Sequence, residues 1–529
     1  MLVQHLLETA AGSRPGHTAL VAGERRVTYL ELEQEANRVA HALGEAGVRR
    51  GDRVVILLEN SVELVAAIFG VLKLGAVFVV LHASTKRDQL EHVLSDAAPA
   101  ALVTDGRRAG PGLDLIAAAP SLRCLLWAGG EEPPLSAGAV RPLSVLGWQE
   151  LGRRPDRPPP CSAIDLDLAT LIYTSGSTGK AKGVMSTHLN VLSATTSING
   201  YLQNTGADVI LDVLPLAFDY GLFQVFLAFQ ARARLVLETG FAFPAQTVSV
   251  MEREGVTGFP GVPTVFAMLL RYPELLRRRL PALRYLTNTA AALPTRHIEE
   301  LRAAFPGVRV FSMYGLTECK RVSFLPPEEL SRRPSSVGVA IPNTEVYVAG
   351  DDGRPVPPGE VGELVIRGSH VTRGYWRAPE LTARRFRPGP LPGETLLYSG
   401  DLFKTDEEGF LYFVARKDDV IKSRGEKVSP REVEDAVCRL EAVAEAAAVG
   451  VADELLGESI LLTVVPRGGS DLSEHSIRAH CARTLEDFKM PRYVVVADEL
   501  PRTENGKVDR LRLKAEFAPT RRARAEARR

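Results

Sequence analysis

Hydrophobic residues recur at two spacings along the chain, and the two spacings alternate. Residues 28–43 carry apolar side chains three and four positions apart, which predicts an amphipathic helix with Thr28 as its N-terminal cap. Residues 54–58 form a short apolar run that is typical of a buried parallel strand. The long apolar stretch 62–81 contains two glycines and Lys73. We interpret it as a buried helix followed by a strand, because a membrane span would not normally carry a lysine at its centre.

The alternation of strand and helix patterns predicts an α/β fold with a parallel sheet covered by helices. With 529 residues the chain is too long for one core, so at least two domains are expected. The pattern changes near residue 415, where a charged segment precedes a short α+β region. We predict a large N-terminal domain of packed α/β sheets over residues 1–416 and a small α+β C-terminal domain over residues 417–529. Residues 520–529 form a basic tail that is expected to fray.

Composition excludes several kinds of partner. Lys plus Arg and Asp plus Glu both number 64, so the formal net charge is zero. We expect no nucleic-acid partner, because such a partner requires a basic surface. The five cysteines are scattered without CxxC spacing, which argues against a zinc site or a disulfide framework and fits a reducing cytoplasm. The first residues lack the pattern of a signal peptide, and no membrane span is expected.

The strongest local signal is the segment 170–184, where an apolar strand leads into a loop rich in hydroxyl groups, glycine and lysine. Glycines let backbone N–H groups approach an anion, and the hydroxyl and ammonium groups add donors and charge, so the loop suits a polyphosphate. The P-loop pattern is not met, since Thr174 stands where its first glycine is required and Ala181 follows Lys180. A merely flexible loop is the alternative interpretation. The predicted phosphate site consists of Thr174, Ser175, Gly176, Ser177, Thr178, Gly179, Lys180 and Lys182, and Thr174 is also predicted to be a catalytic residue.

The segment SGSTGKAKG at 175–183 resembles the phosphate loop of the adenylate-forming superfamily. This superfamily comprises acyl-CoA synthetases, the adenylation domains of nonribosomal peptide synthetases and firefly-type luciferases. Further segments match it in the expected order: MYGLTE at 313–318, YSGD at 398–401, RKDDVIKSRGEKVSPREVE at 416–434 and LPRTENGK at 500–507. Matches that span most of the chain in the right order make the resemblance highly specific.

The resemblance implies an ATP-dependent, AMP-forming ligase that adenylates a carboxylic acid and passes it to a pantetheine thiol. It makes Glu318 the catalytic ligand of a magnesium ion and Tyr314 the neighbour of the adenine ring, with Gly315 and Thr317 also at the nucleotide. These residue types suit the task, because Mg²⁺ takes one or two carboxylates plus substrate phosphates. The alternative interpretation is a turn with a capping Thr and an exposed Glu.

Further assignments by resemblance fall in the second part of the chain. Asp401 matches the carboxylate that accepts the ribose hydroxyls, and Arg416 matches an arginine that also reaches the nucleotide. Asp418 matches a hinge about which a mobile C-terminal domain rotates. This rotation would bring the segment around Gly425 to the thiol for the second step.

Lys507 matches the lysine of the adenylation step. It follows Asn505–Gly506, a strong signal for a tight hairpin. An ammonium group held between the substrate carboxylate and the α-phosphate would reduce the repulsion between these two anions. The alternative interpretation is a solvated lysine after a turn.

The acid substrate is indicated by Phe218–Asp219, which stand where many acyl-CoA synthetases have a Phe-His pair. Peptide-synthetase adenylation domains have an Asp there, which pairs with the α-ammonium group of an amino acid. A buried anion needs a cationic partner, and an amino acid would supply one. Alternatively, Asp219 caps a helix that begins at Tyr220. We expect Tyr220 and Phe223 to narrow the pocket and Ala290 to shape the loop beside it.

We therefore predict adenylation of a small acid, an amino acid such as proline, with ATP and Mg²⁺. A separate peptidyl or acyl carrier protein would then supply the phosphopantetheine thiol, since no carrier motif follows Lys507. The alternative is a ligase for an amine-free small or medium acid with free CoA, which Leu316 favours because peptide synthetases more often have Pro there. Lys427, which replaces an arginine of several members, leaves the thiol acceptor open. A non-catalytic nucleotide-binding relative and an adenylate-using oxygenase are two further alternatives.

Overall fold

The structure is a computed structural model of the chain. It describes residues 1–106, 113–129, 143–174, 181–291, 293–423, 426–453, 457–468, 470, 472–503 and 507–517. The chain divides into two compact units, which we call the large unit and the small unit. The large unit comprises Met1–Val346 and Ile366–Tyr398, and the small unit comprises Tyr347–Val365 and Ser399–Arg529.

The strands are numbered in chain order. The first sixteen are β1 (Thr18–Ala22), β2 (Arg25–Thr28), β3 (Arg53–Leu57), β4 (Val77–Val80), β5 (Ala101–Thr104), β6 (Cys124–Trp127), β7 (Ser144–Gly147), β8 (Leu168–Thr174), β9 (Lys182–Thr187), β10 (Val209–Asp212), β11 (Arg234–Leu237), β12 (Gly258–Gly261), β13 (Tyr285–Asn288), β14 (Arg309–Tyr314), β15 (Ser323–Phe324) and β16 (Val339–Ala340). The others are β17 (Thr344–Ala349), β18 (Gly362–Gly368), β19 (Phe386–Pro388), β20 (Thr395–Thr405), β21 (Leu411–Arg416), β22 (Ile421–Ser423), β23 (Glu426–Val428), β24 (Val443–Asp453), β25 (Gly457–Pro466) and β26 (Tyr493–Val496).

The α-helices are numbered in the same way. They are α1 (His5–Ser13), α2 (Tyr29–Glu45), α3 (Val62–Lys73), α4 (Arg87–Ala97), α5 (Leu113–Ala118), α6 (His188–Leu202), α7 (Asp219–Ala231), α8 (Pro244–Glu254), α9 (Pro263–Leu270), α10 (Pro273–Leu276), α11 (Thr295–Ala304), α12 (Pro379–Arg385), α13 (Pro430–Val437) and α14 (Glu474–Thr484). Residues 510–517 are also helical. Short 3₁₀ helices lie at Trp148–Arg153, Pro327–Glu329 and Asp487–Lys489. Among the described residues no helix is both long and apolar enough to cross a membrane.

Two mainly parallel sheets build the large unit. The nine-stranded sheet has the order β16-β15-β14-β13-β12-β10-β11-β1-β2, with parallel pairing from β14 to β1 and antiparallel pairing at both edges. The seven-stranded sheet has the order β7-β6-β5-β3-β4-β8-β9, and only its β8–β9 pair is antiparallel. Helices connect most of the parallel strands, so the predicted α/β fold is confirmed.

A five-stranded sheet has the order β17-β18-β20-β19, with β21 paired to β20. The chain passes between the two units at three points, one within β17, one within β18 and one within β20. The small unit also contains the sheet β23-β22-β25-β24, with β26 paired to β25. Helices α13 and α14 contribute Val433 and Ile477 to the core on one face of this sheet, and Leu513 and Phe517 pack in the other core cluster. The α+β character predicted for the C-terminal region is confirmed, and the boundary between residues 416 and 417 stays a prediction.

The first helices show why the apolar pattern predicted the helices correctly. Thr28 is the cap of α2 and accepts a hydrogen bond from the Glu31 backbone, as a capping box requires. In α3, Lys73 is only 1% exposed, and its Nζ lies 2.7 Å from carboxylate oxygens of both Glu8 and Glu33. Two buried or half-buried carboxylates thus compensate the lysine that interrupts the apolar stretch.

Candidate active site

The carboxyl ends of the neighbouring parallel strands β13 and β14 carry two of the predicted segments. Strand β14 ends at Tyr314, and Gly315–Glu318 follow it. Strand β13 ends at Asn288, whose side-chain amide donates to the Ala291 carbonyl at 3.0 Å. Between them Ala290 has φ of 75°, the left-handed region that only a few non-glycine residues occupy. Because β13 and β14 are parallel neighbours, both loops lie at the same edge of the sheet.

Tyr375 links Glu318 to the strand that follows the predicted phosphate loop. Its hydroxyl donates to Oε1 of Glu318 at 2.5 Å, and Nζ of Lys182 lies 5.8 Å from the centre of its ring. Thr174 pairs with Lys182 in the β8–β9 ladder, so the two residues that flank the loop are neighbours. A cation and a carboxylate therefore contact one tyrosine side chain, next to the ends of the loop. Tyr375 has no sequence signal of its own and was missed.

Several predicted residues lie outside the described part of the chain. They are Ser175, Gly176, Ser177, Thr178, Gly179, Lys180, Gly425 and the hairpin residues Asn505 and Gly506. Their assignments stay predictions.

Glu318 fits a magnesium ion that is carried by ATP. Its side chain is half-buried, and the hydrogen bond from Tyr375 orients the carboxylate. In the described ranges no group of three or more His, Cys, Asp or Glu side chains could hold a metal by itself. A single carboxylate suits Mg²⁺, which keeps water and takes phosphate oxygens as its other ligands.

Gly315 is required by a close backbone contact. A Cβ atom at this position would lie 2.2 Å from the Lys320 carbonyl oxygen, so any side chain must push the loop between them open. We expect Gly315→Ala to lower the free energy of unfolding of the large unit by about 1–3 kcal/mol, the usual cost of overpacking. Chemical denaturation followed by circular dichroism measures the change. The control is Gly200→Ala in α6, where a Cβ atom meets nothing within 4 Å and alanine favours the helix. Equal stability of Gly315→Ala and Gly200→Ala would contradict the close contact.

Asp219 is the first residue of α7, and the cap position belongs to Phe218, which makes no side-chain capping bond. The interpretation of Asp219 as the cap of a helix that begins at Tyr220 is therefore wrong. Asp219 is 9% exposed, Tyr220 and Phe223 are buried in the same helix, and Phe218 is half-buried. Four of the five residues predicted for the acid site thus lie at the cap and in the first turns of one helix, and the fifth, Ala290, lies in the loop after β13.

Tyr220 and Phe223 face two cations that follow the MYGLTE segment. The Tyr220 hydroxyl donates to the Thr287 carbonyl of β13 at 2.9 Å, and burial raises the pKa of this tyrosine. The Arg321 guanidinium lies 5.1 Å from the centre of the Tyr220 ring, and Nζ of Lys320 lies 5.9 Å from the centre of the Phe223 ring. Helix α7, strand β13 and the segment after β14 therefore meet at these residues.

Lys320 is buried without a hydrogen-bond partner for Nζ among the described residues. Burial lowers the pKa of Lys320, whereas the carboxylates of Asp219 and Glu318 act in the opposite direction. Sequence reasoning missed Lys320 and Arg321, although a signal existed: two consecutive cations follow Glu318 after one intervening residue, Cys319, in a segment of otherwise mostly small or apolar residues.

Asp401 and Arg416 form a cross-strand pair within the small unit. They are partners in the β20–β21 ladder, and Oδ1 of Asp401 lies 3.4 Å from Nε of Arg416. Asp401 is 3% exposed, and the preceding Gly400 has φ of 71° and donates its backbone N–H to Glu363 at 2.9 Å. The two residues predicted to reach the nucleotide are thus brought together, and their carboxylate and guanidinium offer both acceptors and donors.

Lys507 is exposed in the small unit. The Thr503 N–H donates to the Lys507 carbonyl at 2.8 Å, and Arg502 and Val508 form an antiparallel bridge. The chain on both sides of the hairpin tip is therefore paired as a hairpin requires.

Arg510 ties this hairpin to the segment of the predicted hinge. One of its terminal nitrogens lies 2.7 Å from Glu434 of α13, and its Nε lies 3.8 Å from Asp419. Asp418 is exposed in the turn of residues 417–419. Arg510, three residues after Lys507, thus contacts Asp419, the residue next to the predicted hinge.

A surface cavity of about 540 Å³ lies elsewhere in the large unit, at the amino end of β14. Residues that line it include Arg302, Phe305, Arg309 and Glu328. Because Tyr314 and the candidate site lie at the carboxyl end of the same strand, this cavity is not the candidate site.

Comparisons with known proteins agree with the geometry. Residues 7–376 match the AMP-binding enzyme family, and residues 432–507 match the AMP-binding enzyme C-terminal domain. Oxalate–CoA ligase of Arabidopsis thaliana is 32% identical over 96% of this chain and 96% of its own length. Gramicidin S synthase 2 of Brevibacillus brevis is 29% identical over 96% of this chain, which covers 11% of that protein. The crystal structure of ATP-bound MatB from Rhodopseudomonas palustris is 28% identical, with a TM-score of 0.87 over 98% of this chain and 99% of that chain. The chain therefore belongs to the AMP-binding enzyme family of the adenylate-forming superfamily and is an ATP-dependent, AMP-forming acid–thiol ligase.

Proposed function

We propose that this enzyme activates a small, amine-free carboxylic acid with ATP and transfers the acyl group to the thiol of CoA. The observation that carries the proposal is the buried Lys320, which lies near enough to Asp219 for the two charges to interact without a hydrogen bond between them. A buried carboxylate is stabilised by a nearby cation, and Lys320 provides that charge, so Asp219 does not require the ammonium group of an amino acid. The similarity to oxalate–CoA ligase over nearly the whole chain supports CoA as the acceptor.

In the first half-reaction a carboxylate oxygen of the acid attacks the α-phosphorus of ATP, and the bond to the bridging oxygen of the β-phosphate breaks. The products are an acyl-adenylate and pyrophosphate. Lys182 and the loop before it hold the phosphates, and Lys507 neutralises the two anions that must approach each other. A magnesium ion held by Glu318 and the phosphates would supply charge stabilisation to the leaving group. Asp401 and Arg416 hold the ribose side of the nucleotide.

In the second half-reaction the thiolate of CoA attacks the acyl carbon, and the bond between that carbon and the AMP oxygen breaks. AMP leaves and a thioester forms, so the energy of one ATP drives one acyl transfer. Asp418 is the hinge of this step, since it lies exposed in a short turn that can absorb a change in backbone angles. The turn and Lys507 would move together because Arg510 connects their segments.

A second candidate is the loading of an amino acid, such as proline, onto the phosphopantetheine of a separate carrier protein. One observation favours it: Asp219 is buried in the first turn of α7, where an α-ammonium group could pair with it. The similarity to gramicidin S synthase 2 extends over nearly the whole chain and supports the same candidate. It requires that Asp219 faces the substrate more closely than it faces Lys320.

Pyrophosphate exchange into ATP separates the two candidates. We expect exchange with cyclopentanecarboxylate and butanoate to exceed exchange with the matched amino acids, proline and 2-aminobutanoate, by about tenfold or more, because Lys320 opposes a second ammonium group. Asp219→Asn should keep this preference, since it preserves the shape of the side chain. Exchange confined to amino acids, and lost in Asp219→Ala, would instead establish the carrier-loading candidate.

A cytoplasmic location is part of the proposal. All five cysteines lie in the described residues and carry free thiols, three of which are buried. Free cysteines are usual where glutathione and thioredoxin keep thiols reduced. ATP and CoA are both available in such a compartment.

A further inference from the structure

Two buried cations beside the acid site have donors that nothing in the described chain satisfies. Lys320 is 6% exposed and Arg321 is 5% exposed. Nζ of Lys320 and both Nε and Nη1 of Arg321 are buried without a hydrogen-bond partner among the described residues. Buried charged donors are normally paired, because an unpaired one loses its hydration without replacement. These atoms are therefore candidates for contact with a ligand.

The aromatic rings of the acid site lie next to the same two cations. Lys320 lies over Phe223 and Arg321 over Tyr220, at the distances given above. The Arg321 guanidinium also lies near the Tyr201 hydroxyl, where its charge acts against the rise in the pKa of Tyr201 that burial causes. A ring face attracts a cation, but it offers no lone pair to an N–H donor. The rings hold the two side chains in place and leave their remaining donors available.

The carboxylates near the pair leave these donors unsatisfied. Asp219 and Glu318 lie near enough to Lys320 for their charges to act on it, but Nζ of Lys320 donates a hydrogen bond to neither of them. Asp212 lies near the same aromatic ring as Arg321, and it accepts no hydrogen bond from Nε or Nη1 of that arginine. A further acceptor group, supplied by a ligand, would therefore satisfy both cations.

We infer that Lys320 and Arg321 determine specificity by binding a second carboxylate, at the end of the substrate that does not react, so that the preferred substrate is a dicarboxylic acid. The inference rests on the proposed function, since it takes the surroundings of Tyr220 and Phe223 as the acid site. The second carboxylate supplies the missing acceptors together with a negative charge. An amine-free dicarboxylate also avoids repulsion between a substrate ammonium group and the two cations.

The test compares matched acids in the pyrophosphate exchange assay: malonate with propanoate, succinate with butanoate, and adipate with hexanoate. For the best pair we expect kcat/KM of the wild-type enzyme to favour the dicarboxylate by about tenfold to hundredfold, the usual contribution of hydrogen bonds to a charged group. Lys320→Met and Arg321→Met remove the charge and keep much of the side-chain volume. Each should reduce this ratio to about one, mainly through a higher KM for the dicarboxylate. Lys404→Met and Arg279→Met, at exposed positions, serve as controls and should keep the wild-type ratio.

The ratio separates a binding role from a structural one, because a variant that only loosens the fold slows both members of a pair equally. If a variant does not fold, the ratio measured for the wild-type enzyme still tests the inference. Exchange in which the monocarboxylates are at least as good as their partners would overturn the inference and leave the ligase function intact. A wild-type preference that persists in both Met variants would overturn the role of the two residues. Absence of exchange with every acid of the panel, amino acids included, would contradict the proposed function together with the inference.

Discussion

Lys507→Ala is expected to lower the rate of adenylate formation by about 10²- to 10³-fold. Removal of a single preorganised donor that stabilises charge in the transition state typically lowers kcat by this factor. Lys507 is the residue proposed to lie between the two anions. The fold should survive, since the hairpin bond at this position uses the Lys507 backbone carbonyl and the side chain is exposed. Pyrophosphate exchange with the preferred acid measures the first half-reaction. The second half-reaction is measured with a synthetic acyl-adenylate and CoA.

The two measurements together make the test specific. Thioester formation from the supplied adenylate should remain within a few-fold of the wild-type rate, because the lysine acts before that step. Lys514→Ala is the matched control, since it removes a half-exposed lysine from the helix that follows the same hairpin. If Lys507→Ala exchanges pyrophosphate as fast as Lys514→Ala, the adenylation role of Lys507 is wrong.

Glu318→Gln is expected to reduce kcat/KM for ATP in the first half-reaction by about 10²-fold and to raise the Mg²⁺ concentration that half-maximal activity requires. The amide keeps an oxygen that can accept the hydrogen bond from Tyr375, so the local structure should persist while the charge is lost. Mutation of a residue that orients a metal ligand typically lowers metal affinity or activity by about 10- to 100-fold. Loss of the ligand itself is expected to lower kcat/KM by a factor at the upper end of that range. A titration of initial rate against Mg²⁺ at fixed ATP measures both effects.

Two further variants calibrate this result. Tyr375→Phe removes only the hydroxyl that orients Glu318, so a drop of about tenfold with a smaller change in Mg²⁺ requirement is expected. Glu328→Gln removes an exposed carboxylate and should behave as the wild type. An unchanged Mg²⁺ requirement in Glu318→Gln would show that this carboxylate does not hold the ion.

Local patterns in the sequence were sufficient for much of the architecture. The capped helix after Thr28, the strand at 53–57 and the division of the stretch 62–81 follow from spacing and capping, which act within a few residues. The motif residues were found for a related reason: glycines, hydroxyls and charges that contact phosphate occur together in short segments. Tyr314, Glu318 and the flanks of the phosphate loop could therefore be selected without a structure.

Contacts between distant segments could not be selected in this way. Tyr375 meets Glu318 across 57 positions, and Tyr220 meets Thr287 across 67. Neither contact corresponds to a periodic pattern in the sequence, because each depends on which strands are neighbours in the fold. The alternative interpretation of Asp219 as a helix cap rested on its residue type alone, whereas the helix begins one residue earlier than that interpretation requires.

The sequence by itself determined the family, the α/β class and the residues expected to contact ATP, because these depend on local segments whose chemistry is readable one at a time. Only the tertiary structure decided that Lys320 and Arg321 are buried against the aromatic residues of α7 and that Asp219 faces a cation from the chain itself. The physical reason is that two adjacent cationic residues are usually exposed to water. Only folding shows whether they are buried, and burial gives them both a desolvation cost and a need for a binding partner.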